Sequence, residues 1–74
     1  MGEFGYITFK SVSYAIKFEA AIKNLDMKLK MIPVPRSISS SCGMCIRFIL
    51  NDLNELLSTI ERENLEYEKI YTHL

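Results

Sequence analysis

Residues 45–60 read CIRFILNDLNELLSTI, and the apolar pattern changes period halfway along. Through Cys45-Ile46-Arg47-Phe48-Ile49 it alternates, with Ile46 and Phe48 toward one face and Arg47 toward the other, which predicts a strand over Cys45–Ile49. From Leu53 onward the apolar residues Leu53, Leu56, Leu57 and Ile60 recur at helical spacing. Asp52 stands three residues before Glu55, the spacing of a capping box with Asp as the cap. A strand therefore feeds directly into an amphipathic helix, and the remaining elements are placed outward from that unit.

Upstream, Gly5-Tyr6-Ile7-Thr8-Phe9 is rich in β-branched and aromatic residues and predicts the first strand. Ser11 and Ser13 are candidate caps, and Ala15, Phe18, Ile22 and Leu25 follow at helical spacing, giving a first helix over Ser13–Asn24. Lys28–Met31 alternates again, Leu29 and Met31 one way and Lys28 and Lys30 the other, before Pro33 and Pro35 interrupt any ladder. Pro35–Gly43 is a serine-rich loop, and Tyr67–Thr72 supplies a fourth strand.

The order β-α-β-β-α-β predicts a ferredoxin-like α+β sandwich with a four-stranded antiparallel sheet and both helices on one face. The first and third strands are then central, and the lysines and Pro33 of the second blunt an exposed edge. Ile7, Phe9, Leu29, Met31, Ile46, Phe48 and Ile70 are the expected core. Tyr6, Thr8, Arg47, Ile49, Lys69, Tyr71 and Ile32 are expected on the other face, apolar and aromatic enough to suit a protein partner or a second copy of the chain.

Size and charge narrow the function. Seventy-four residues suit one domain over 1–74, without room for a two-domain enzyme with a closing cleft. Nine Lys and Arg balance nine Asp and Glu, so there is no basic excess of the kind that draws nucleic acid or anionic lipid. No run approaches the roughly 18 apolar residues of a membrane span, and Met1–Lys10 has neither a signal-peptide pattern nor the Ser or Thr a myristoylation signal requires. Cys42 and Cys45 lie too close to staple much chain, so the expectation is a cytoplasmic protein with reduced thiols.

One segment gathers reactive groups: Pro33–Cys45, PVPRSISSSCGMC. Gly43 permits a positive φ, so successive amide N–H groups can converge on the Cys42 sulfur, and Arg36 and Arg47 flank the loop in sequence. A cation or converging amides favour the thiolate, which is the nucleophile. The plainer alternative is that both cysteines are small buried hydrophobes, a reading that fits Cys45 at the head of an apolar strand better than Cys42. A thioredoxin-type pair would open a helix, and a zinc site would need ligands beyond two Cys and His73, so neither a resident metal nor a cofactor is expected. His73, near a chain end and without a motif around it, reads as solvated.

Tyr6-Ile7-Thr8-Phe9-Lys10-Ser11, Ala15 with Glu19, Ile32-Pro33-Val34-Pro35-Arg36, Ser39-Ser40-Ser41-Cys42-Gly43 and Arg47 together resemble the selenium/sulfur carrier protein-like family of small bacterial domains, sometimes fused to a TusA-like sulfur carrier. The resemblance runs from about Tyr6 to Tyr71. It implies that Cys42 and Gly43 are the family's Cys-Gly pair and Pro35 and Arg36 its Pro-Arg, while Cys45 departs from the pattern. The implied function is a carrier rather than a turnover enzyme, with Cys42 accepting sulfur or selenium and Arg36, Gly43 and Arg47 supporting it; Cys45, outside the family pattern, is a candidate second thiol on the residues alone. Its partners would be proteins that donate and accept the atom. The competing reading is a non-catalytic interaction module that docks through the open sheet face.

Overall fold

A computed structural model describes residues 3–23, 25, 28–38 and 42–73. The chain runs β1 (Phe4–Thr8), α1 (Val12–Ile22), β2 (Lys30–Pro33), β3 (Met44–Ile49), a 3-10 turn (Leu50–Asp52), α2 (Leu53–Glu63) and β4 (Lys69–Tyr71). The strands pair antiparallel in the order β2-β3-β1-β4, so β1 and β3 are central and β2 and β4 are edges. This is the α+β sandwich expected from the element order. Each element falls within a few residues of its expected bounds, β2 lying two residues later than predicted because Pro33 still pairs, opposite Met44. That placement is tolerated at the end of an edge strand, where the missing N–H breaks no internal ladder. The expected end of α1 at Asn24 and the serines Ser39, Ser40 and Ser41 lie outside the described residues.

Ile7, Ile46 and Phe48 from the strands, Phe9 beyond β1, Ala15, Phe18 and Ile22 of α1, and Leu56 and Ile60 of α2 form one buried cluster, with Leu25, Leu29, Met31 and Ile70 packed against it. Both helices therefore cover one face, and every expected core residue is in or against the cluster. The Phe9 and Phe18 rings meet edge to face, with centroids 5.2 Å apart. Gly5 lies opposite Phe48, whose ring occupies the space a Cβ at Gly5 would need.

Two local expectations are corrected. Asp52 makes no side-chain capping bond: with φ −93° and ψ 5° it ends the 3-10 turn rather than holding the extended conformation of a capping residue. Leu57 is exposed, because the buried stripe of α2 runs through Leu53, Leu56, Thr59 and Ile60 and Leu57 lies about a quarter turn off its centre. Thr59 is accommodated there by donating its hydroxyl to the Glu55 carbonyl at 2.9 Å. The helix stops at Asn64, whose φ of 55° is left-handed, and the Leu65 amide donates back to the Ile60 carbonyl at 3.0 Å.

The opposite face follows from the register. Lys30, Arg47, Tyr6 and Tyr71 form one row across the four strands, and Ile32, Cys45, Thr8 and Lys69 form the next. Thr8 was expected to be outward and open, but it and Cys45 are fully buried. Ile38, in the β2–β3 connection, is also buried and, like Cys45, lies outside the helix-side cluster. Thr8 and Cys45, paired across the two central strands, thus bury the loop end of this face. The Phe4 end stays open, with Phe4 40% exposed.

Candidate functional site

The β2–β3 connection is drawn closed at its neck, where the Val34 amide donates to the Gly43 carbonyl at 3.0 Å. Beyond the neck, the Ile38 amide donates to the Pro35 carbonyl at 3.0 Å, closing a turn whose two central residues are Arg36 and Ser37. Both are exposed, so Arg36 faces solvent in the first part of the loop. The buried Ile38 immediately after it acts as the loop's apolar anchor. Ile38 is the one apolar residue in RSISSS, and that isolation was the signal by which the sequence could have singled it out.

Cys42 and Gly43 come at the return of the loop. Gly43 has φ +76°, the left-handed conformation anticipated for it, and open space surrounds the position of an added Cβ. This turn folds the next residue back on the preceding sulfur. The Cys42 thiol donates to the Met44 carbonyl at 2.9 Å, and the Met44 amide donates to the Cys42 sulfur at 3.4 Å. Both polarities of the Met44 backbone therefore meet one sulfur. Sequence reading placed converging amides here in general terms and did not identify Met44. Cys42 is half-buried and leans on the helix-side cluster, so its sulfur is neither sealed in the core nor fully solvated.

Cys45 is different in kind. It is wholly buried on the other face of the sheet, opposite Thr8 in β1 and Ile32 in β2. Burial, and secondarily the charge a Cys42 thiolate would place nearby, push its thiol above the ordinary range. Neither cysteine is disulfide-bonded. Arg47 lies on the same face as Cys45, and its guanidinium carbon stands 4.4 Å from the centroid of the Phe4 ring. The structure thus gathers Cys42, Gly43 and Met44 at one turn, leaves Arg36 exposed in the first part of the loop, and engages Arg47 with Phe4 at the far end of β3. Glu19, His73 and the acidic residues of α2 are exposed, and Asp52 in the preceding 3-10 turn is half-buried. Among the described residues no group of three His, Cys, Asp or Glu side chains could hold a metal ion, and no helix is long and apolar enough to cross a membrane.

The family model described as "Putative Se/S carrier protein-like" matches residues 4–72. The chain belongs to that family. The matched span takes in every element of the sheet, both helices and the Cys42 loop. No curated protein matches the chain, and no solved structure does.

Proposed function

We propose that this Se/S carrier family member carries a single chalcogen atom on Cys42. The observation that supports this reading is the half-buried Cys42 sulfur at the Gly43 turn, approached by the Met44 amide at 3.4 Å. The step needs no oxidant. The Cys42 sulfur attacks the outer atom of a donor persulfide or its selenium counterpart, the donor's inner S–S or S–Se bond breaks, and the donor leaves as a thiol. Cys42 then holds the outer atom as Cys42–S–SH or Cys42–S–SeH, and the reverse attack by an acceptor thiol unloads it. The Met44 N–H gives the sulfur a donor, and the open space around Gly43 leaves room for the added atom. Arg36, exposed in the same loop, is the cation assigned to the loaded group, whereas Arg47, held over Phe4 at the far end of β3, takes no part.

Cys45 has the role of a reserve thiol that stays out of the exchange. Its burial and its raised proton affinity both disfavour attack on a loaded Cys42, which would expel the cargo as sulfide or selenide. The test is incubation with a cysteine desulfurase and cysteine, or with a perselenide donor, followed by intact-mass measurement. One sulfur or selenium should add to the native protein and to Cys45→Ala, be removed by dithiothreitol, and fail to add to Cys42→Ser. A native protein that gains no mass rejects the proposal.

A further inference from the structure

The net charge of zero conceals a separation of charge. By register, the helix-free face presents Phe4, Tyr6 and Thr8 of β1, Lys30 and Ile32 of β2, Cys45, Arg47 and Ile49 of β3, and Lys69 and Tyr71 of β4. Its charged members, Lys30, Arg47 and Lys69, are all cations. The helices carry the opposite balance, with Glu19, Glu55, Glu61 and Glu63 against Lys17 and Arg62. At the open end of the sheet face, Phe4, Leu29, Ile49, Lys28, Lys30 and Arg47 line a depression of about 520 Å³. Its walls are apolar, its charged residues are all cations, and Lys28 and Lys30 are exposed.

We infer that this depression docks an acidic segment of a partner protein, with an apolar side chain entering between Phe4, Leu29 and Ile49 while flanking carboxylates meet Lys28, Lys30 and Arg47. Charge complementarity selects the partner: a face whose charges are all positive favours an anionic surface and repels the cationic face of a second copy. Single-stranded nucleic acid is the other polyanion such a sheet could attract, but two of the three aromatic rings it would stack on, Phe4 and Tyr71, are already engaged. Arg47 lies over Phe4 at 4.4 Å and Lys69 over Tyr71 at 5.8 Å, and Cys45 and Thr8 in the next row are buried. A shallow, open depression also covers too little of a small ligand to hold it unaided, whereas a protein surface extends beyond the rim. The depression and the Cys42 turn lie toward opposite ends of β3, about 16 Å apart along the strand. The docking inference therefore does not rest on the thiol reading.

The experiment uses the whole chain and a dye-labelled octapeptide of alternating Glu and Leu, read by fluorescence anisotropy at low salt. Saturable binding is expected, weakening as salt rises and falling at least tenfold in Lys30→Glu and in Arg47→Glu. Glu61→Lys, on the helix side, and Cys42→Ser should bind within twofold of the native chain. Circular dichroism confirms folding, and Lys30→Glu alters an exposed side chain. Absence of saturable binding up to millimolar peptide, or unchanged affinity in Lys30→Glu, overturns the inference. So does tighter binding of a labelled oligothymidylate of equal charge, which would make the face a nucleic-acid surface.

Discussion

On the helix-covered face, Ile7, Ile46 and Phe48 are at most 1% exposed; one residue along the same strands, on the other face, Tyr6, Arg47 and Ile49 are only half-buried. The two sides of β1 and β3 are built by the same alternation and finished differently. One is closed by α1 and α2, and its residues are held by volume and shape. The other is closed only at its loop end, and its remainder is left to cations and aromatic rings. The comparison separates stability from function: changes on the first side should act on folding, and changes on the open part of the second should act on binding.

The largest effect that would break this division lies on the closed side. Phe48→Ala removes a fully buried ring at the centre of the cluster and should cost about 3–5 kcal/mol in urea unfolding. Gly5→Ala should cost about 1–3 kcal/mol, because the new methyl enters the space of the Phe48 ring. The two positions are coupled: combining Gly5→Ala with Phe48→Leu should cost less than the sum of the single changes by about 1 kcal/mol or more. Strict additivity would mean that Gly5 is not required by the ring.

The cysteines repeat the contrast within four residues of chain. Cys45 keeps its proton in the folded state above the ordinary thiol range, because burial disfavours its charged form. Above about pH 8.5 the unfolded chain gives up that proton first, so it binds fewer protons than the native state. Stability then falls as pH rises, whereas below that range the contribution is fully present. Urea unfolding should show a steeper loss between about pH 8.5 and 10 for the native chain than for Cys45→Ala. Equal slopes would show that Cys45 is not protected. Mass measurement after iodoacetamide treatment sharpens the same point: Cys42 should take up one adduct in the folded protein, and the second should appear only on unfolding.

Much of this organisation was legible because strand and helix write different periods. The alternation at Ile46-Arg47-Phe48 and the stripe through Leu53, Leu56 and Ile60 located β3 and α2, and with them the sheet order. Periodicity identifies a face but not what covers it, so Thr8 and Cys45 could be assigned to the helix-free side while their burial by non-local structure stayed invisible. The Asp52–Glu55 pair had the spacing of a cap, yet the 3-10 turn that precedes the helix had already set the backbone at Asp52. At the site, Cys42 and the positive φ at Gly43 were readable from residue type. The part played by Met44 was not, because it uses backbone atoms that any residue would have supplied. Arg36 and Arg47 flank the loop in sequence, but a strand of six residues carries the second of them away to Phe4.

Arg47 gives the smallest stability effect and the sharpest test of the division between faces. Its guanidinium over Phe4 is a cation–ring contact at a partly exposed site, worth about 0.5–1 kcal/mol. Arg47→Ala should therefore lower stability by no more than about 1 kcal/mol, and most of that loss should disappear when Phe4 is already replaced by leucine. A loss approaching that of Phe48→Ala would mean that Arg47 and Phe4 form a structural layer, and the two faces would then differ only in degree. A small loss means that the charge on this face is not maintained for folding, since an apolar or neutral residue would serve the strand as well. Lys30, Arg47 and Lys69, gathered on one face of a neutral chain, would then have no role in the fold that accounts for their shared sign, which leaves recognition as the constraint on it.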